Sequence, residues 1–265
     1  MSALRKPQYE PESEPEPNRL GSMSFLEHLE EFRKRLITAC IGIALGMVVA
    51  FVFIDRLTAF VLEPTRRMLP PGAKLIYTNP GEAFSLYVYV ALIAGALLAS
   101  PFVMFQLWRF IAPGLYANEK RLVIPFIALT TAGALGGAAF SHYVLYPSMI
   151  AFFGTFNSPD LAFMPRVEDA FDLYLKMMGG MVLVFQMPTL VFFLARMRLV
   201  TAGFLWRNIK YAVLIIFIAA AVLTPSSDPW NQTVFAAPML VLYVLSIGLA
   251  WAVAPRVQEN SHGKR

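Results

Sequence analysis

The sequence predicts an all-α membrane protein with six transmembrane helices, the last two of them short, and with both chain ends on one side of the bilayer. Three observations carry this. Of 265 residues, 57% are hydrophobic and only 15% are charged, and the mean hydropathy is +0.58. Soluble domains carry about 45–50% apolar and roughly 25% charged residues, and such an excess cannot be hidden in a water-soluble core of this size. Long charge-free windows recur along the chain, and basic residues gather in alternate connecting segments. The single cysteine, Cys40, lies in an apolar run, which offers neither a disulfide framework nor a cysteine-based metal site.

Residues 1–22 are rich in Pro and Glu, lack an apolar stretch and read as a disordered tail. A single membrane domain then covers 23–254. It opens with Ser24 and Glu27 in capping-box spacing, followed by Phe25, Leu29, Phe32 and Leu36 at helical intervals. Glu27, Glu30, Glu31, Arg33, Lys34 and Arg35 occupy the other surface, so an interfacial amphipathic helix runs straight into the first span, about 36–54. The second span is 83–107. The third is 122–146, ending near Tyr146-Pro147, and the fourth is 173–195. The fifth, 210–223, falls short of the ~20 residues an upright crossing needs. The sixth is 234–254, and 255–265 forms a second tail. Either the fifth span crosses a thinned bilayer, or 211–254 is a re-entrant hairpin. Both alternatives return the C-terminus to the side of the N-terminus. Of the 22 Lys and Arg residues, sixteen fall in the N-terminal segment, 108–121, 196–210 and the C-terminal tail. The positive-inside rule therefore places both termini in the cytoplasm, and the net charge of +5 is an orientation signal, not a nucleic-acid footprint.

Catalytic motifs are absent. There is no GxxxxGK[ST] loop, no HExxH, no GxSxG elbow and no His/Cys cluster. Paired aspartates are absent from the spans, and the neighbouring Ser141-His142 is not a plausible dyad. No enzyme activity, cofactor or metal is expected.

Four segments carry more polarity than a scaffold requires. EHLEEFRKRL, 27–36, contains Glu30–Lys34 and Glu31–Arg35 in the order that stabilises a helix. SPFVMFQLWRFIAPGLYANEKR, 100–121, breaks at Pro113-Gly114, and its Glu119 suits a helix N-terminus. Gln186, in VFQMP, stands mid-span and must face protein or a wet cavity. LTPSSDPWNQTVFAAP, 223–238, is a turn whose single charge is Asp228. Gly42/Gly46 and Gly133/Gly137 are small-residue pairs suited to close helix packing within the chain.

Taken in order, these segments resemble the TatC family, the multispanning core subunit of the twin-arginine protein translocase, over roughly 24–253. The resemblance rests on FLEHLEEFRKRL, the Pro64 region, the 100–121 segment, FQMP, and TPSSDPWNQTVFAAPMLVLY. It implies a concave, cupped bundle and a receptor for signal peptides with two consecutive arginines, driving export of folded proteins on the proton motive force. It further implies signal binding by Glu31 and Glu119, with Arg33, Phe110, Pro113 and Leu115 shaping the surface. Pro64, Gln106, Gln186 and Asp228 become functionally sensitive positions. The implied setting is the inner (cytoplasmic) membrane, within a larger complex holding further copies of this chain. Single-span TatA- and TatB-type partners would dock near the fifth span. Two departures stand out: Gln186 replaces a Glu common in relatives and cannot titrate, and Val244 stands where relatives often carry another Glu. The rival class is a small-solute secondary transporter, against which stand the missing inverted repeat and the few polar groups in the spans.

Overall fold

The computed structural model describes residues 25–69, 75–111, 123–156, 158, 163–224 and 228–253. The expected tails and Ser24 of the capping box lie outside these residues. The described chain is helical, with one isolated parallel bridge between Ile76 and Arg166. That is the economical solution in lipid, where each backbone polar group must be satisfied inside its own segment.

The amphipathic segment and the first span form one unbroken helix, α1 (Phe25–Val52), about 42 Å long at 1.5 Å per residue. Helix α2 (Ile54–Met68) follows at the far end of α1, with Thr58, Val61, Leu62, Pro64 and Thr65 buried and Arg66 and Arg67 in its last turn. The second apolar stretch, expected at 83–107, is bent. Helices α3 (Glu82–Leu98) and α4 (Ser100–Ile111) meet at 59°, where Pro101 withholds a backbone donor.

The third crossing also departs from expectation. Helix α5 (Val123–Phe140) passes through a π-helical turn, Ser141–Leu145, into α6 (Tyr146–Gly154), so the helical stretch continues past Tyr146-Pro147. Pro147 does not stop it because it sits in the first turn of α6, where a missing N–H costs little. Helix α7 (Val167–Val184) and α8 (Met187–Arg196) make the fourth crossing, interrupted at Phe185-Gln186 ahead of Pro188. After α9 (Ala202–Arg207), α10 (Ile209–Leu223) has 15 residues, as short as expected. Helix α11 (Pro229–Val253) does not share that trait. It has 25 residues, because Asp228 starts it five residues before the apolar window opens.

Four helical stretches among the described residues are long and apolar enough to cross a bilayer: α1, α5–α6, α7–α8 and α11. The bent α3–α4 pair makes a fifth, and α10 is a shorter apolar helix. Glycines set the closest helix approaches. A Cβ on Gly46 would lie 2.5 Å from Gly95 O, and one on Gly137 would lie 2.7 Å from Met181 O. Gly46 thus serves packing of α1 on α3 and Gly137 that of α5 on α7, while Gly42 faces Phe102 of α4 and Gly133 faces Phe185 at the break between α7 and α8. Tyr146, Met149, Tyr174, Met177, Met181 and Phe235 fill the centre. The Thr65 hydroxyl lies 2.6 Å from the Tyr146 hydroxyl, which donates to Ala170 O at 3.1 Å. Next to Pro64, this chain of hydroxyls pins α2 onto α6 and α7.

A candidate peptide-binding face on α1 and α4

The first turns of α1 and the last turn of α4 come together at one face of the molecule. Residues 27–36 make a helix because they are good helix formers with an apolar stripe, and that stripe needs a cover. Phe110 supplies part of it. Its ring stacks on His28 with centroids 4.4 Å apart and meets Phe32 edge-on at 5.3 Å. Beneath it, Trp108 is buried against Phe126 and Phe193, which anchors the end of α4 to α5 and α8.

Beside this aromatic clamp runs a polar line. Arg35 donates through Nε to Glu31 Oε1 at 2.7 Å, and its Nη2 lies 2.5 Å from the same oxygen. Its Nη1 reaches Oε1 of the buried Gln106 at 3.5 Å. Arg35 is thus tied to α1 and α4 at once, and both strong contacts fall on a single carboxylate oxygen. Glu31 Oε2 has no partner among the described residues. Partly desolvated, charge-assisted pairs of this kind are stronger than neutral hydrogen bonds. The Glu31–Arg35 pair read from spacing forms, whereas Glu30 and Lys34 make no ion pair. Arg33 is exposed and extends the basic character of this face.

The structure brings together Glu31, Arg33, Gln106 and Phe110 among the expected residues. Pro113, Leu115 and Glu119 lie outside the described residues. His28, Phe32 and Arg35 also contribute, and sequence reasoning had not given them a place here. Their signal was present only in part: the i,i+4 spacing marks Arg35 as Glu31's partner, but nothing local foretells Gln106 on another helix.

The remaining sensitive positions are elsewhere, each with a structural task. Asp228 caps α11: its Oδ1 accepts from Trp230 N at 2.9 Å and Asn231 N at 3.0 Å, while Oδ2 accepts from Asn231 Nδ2 at 2.7 Å. Gln186 spans the break between α7 and α8, donating to Thr130 O on α5 at 3.1 Å and to Val182 O at 3.4 Å. Its Oε1 is buried without a partner. Interhelical bonding is therefore what this amide does in the described structure. Pro64 is buried within α2.

A family model described as "Sec-independent protein translocase protein (TatC)" matches residues 27–238. A TatC protein of Koribacter versatilis is 45% identical over 240 residues, covering 89% of this chain and 88% of that one. A second, from Desulforapulum autotrophicum, is 37% identical over 223 residues, covering 84% and 82%. Two crystal structures described as the twin arginine translocase receptor TatC superpose with TM-scores of 0.71 and 0.74 at 31% identity. They cover 84% of this chain and 97% and 99% of theirs. With the helical membrane fold and this extent of match, the chain belongs to the TatC family of protein translocase subunits.

Proposed function

We propose that this multi-pass membrane protein is the receptor and scaffold of a twin-arginine translocase, binding twin-arginine signal peptides at a cytoplasmic face built from Glu31 and Glu119. The observation that carries this reading is the state of Glu31. Its carboxylate already holds one guanidinium, that of Arg35, and keeps Oε2 free for another. A planar guanidinium is the natural occupant of that oxygen, since its fixed fork matches a carboxylate in a way a lysine ammonium does not. The His28–Phe110–Phe32 clamp supplies an apolar wall for residues flanking the arginines. The resemblance of Glu119 and its neighbours Pro113 and Leu115 to the family pattern supports a second carboxylate in the same task.

In this reading both termini are cytoplasmic, and the proton motive force drives export of the folded cargo. Single-span TatA- and TatB-type subunits dock along α10, whose Leu214, Ile215, Ile218 and Val222 are exposed. The test is titration of a fluorescent twin-arginine signal peptide against the purified full chain in nanodiscs. Charge-assisted hydrogen bonds contribute about 1.5–3 kcal/mol, so Glu31→Ala should weaken binding by about tenfold or more. Glu31→Ala combined with Glu119→Ala should abolish it. Unchanged affinity in the double variant sinks the receptor reading, as does equal affinity for a peptide with two lysines.

A further inference from the structure

At the membrane face opposite Glu31, a groove of about 600 Å³ runs between α2 and the start of α3. Its floor is apolar and buried, formed by Leu62 and Leu86. Tyr77 and Tyr87 stand exposed on its walls. Among the described residues one charged side chain lines it, Arg66, one helical repeat along α2 from Leu62 and two from Thr58. The Arg66 guanidinium makes no ion pair or hydrogen bond among the described residues. The adjacent Arg67 is already committed, donating through Nε to Glu63 at 3.1 Å and lying 2.5 Å from it through Nη2. The Thr58 hydroxyl, in a residue only 6% exposed, also finds no partner.

We propose that this groove binds a membrane phospholipid, with its phosphate at Arg66 and an acyl chain along the Leu62–Leu86 floor. The volume lies within the ~300–1,000 Å³ of small-molecule sites. An unpaired guanidinium at the mouth of an apolar cleft asks for a ligand that is anionic at one end and apolar along its length. A soluble anion would leave the floor wet. A peptide would bring a row of backbone N–H and C=O groups onto the apolar Leu62–Leu86 floor, which offers them no polar partner. The position agrees with the chemistry. The apolar part of α1, from Leu36 to Val52, is about 26 Å long at 1.5 Å per residue, close to the ~30 Å hydrocarbon thickness of a bilayer, and α2 follows at the end away from Glu31. The two exposed tyrosines on its walls are of the residue type that favours the headgroup level. Selectivity is visible by contrast. The cleft on the other side of α3, about 350 Å³, is lined by Asn79, Glu82, Ser85, Glu168 and Asp172, and its acids would repel a phosphate.

Native mass spectrometry of the full chain, released from mild detergent after incubation with palmitoyl-oleoyl phosphatidylglycerol, tests this. One strongly retained lipid is expected, with retention falling about tenfold in Arg66→Gln and unchanged in Arg67→Gln. Neither residue lies at the peptide-binding face, so failure here leaves the receptor reading untouched. Millimolar inorganic phosphate should not displace the lipid, and dioleoylglycerol, which lacks the phosphate, should be retained no better than the phospholipid is by Arg66→Gln. Equal retention by Arg66→Gln and the unaltered chain overturns the site, and so does displacement by phosphate alone. A photoreactive residue at position 87 should link to lipid in proteoliposomes; capture of a signal peptide there instead also overturns it.

Discussion

Asp228 shows how a residue that resembles a functional position can owe its importance to backbone chemistry. Its carboxylate satisfies two N–H groups at the start of α11 and holds the Asn231 side chain. Helix starts leave such donors without intrahelical partners, and loss of a capping acceptor costs about 0.5–2 kcal/mol. Asp228→Ala should therefore lower the melting temperature in detergent, Asp228→Asn should restore most of it, and twin-arginine peptide affinity should stay unchanged in both. A fall in peptide affinity with no change in melting would show that Asp228 acts on the binding face and not on the helix. Gln186 follows the same logic. Mid-span placement demanded a protein partner, and Thr130 O provides it; the identity of that partner was invisible in sequence, because 56 residues separate the two.

At the scale of elements, small residues decide where helices touch. A side chain at Gly137 would collide with the Met181 carbonyl at 2.7 Å, whereas Gly179 has nothing within 4 Å. Overpacking typically costs about 1–3 kcal/mol. Gly137→Val should reduce the melting temperature and the monodisperse yield, and Gly179→Ala should leave both unchanged; the reverse ranking would remove the α5–α7 contact as a determinant of the fold. Element boundaries were the least legible feature of the sequence. Charge-free windows mark apolar stretches, but hydropathy is blind to hydrogen bonding. It could not show the 59° bend between α3 and α4, the π-helical turn that carries the third crossing past Pro147, or the early start of α11 at its Asp228 cap.

For the whole molecule, the two faces have different chemistry. Glu31 and Arg35 lie near one end of α1, and α2 with Arg66 lies beyond the other. The positive-inside reading makes the first face cytoplasmic, and cysteine labelling tests it. With the exposed native Cys40 replaced by Ser, a cysteine at Arg33 should react with a membrane-impermeant maleimide only after cells are opened. A cysteine at Tyr77 should react in intact spheroplasts. The opposite pattern would invert the molecule and place the proposed peptide-binding face outside.

Composition and charge order were enough to determine the solvent, the helical class and the location of the apolar segments, since these follow from the cost of moving polar groups into lipid. The ordered motifs were enough to indicate the family. Tertiary structure alone decided which groups meet across helices: Arg35 with Gln106, His28 and Phe32 against Phe110, Gln186 against Thr130, and the Arg66 guanidinium without a partner among the described residues above an apolar floor. Each of these depends on helices distant in sequence approaching within a few ångströms. That approach is set by where small residues allow backbones to close and where prolines bend them, and no local pattern of hydropathy or charge encodes the resulting pairs.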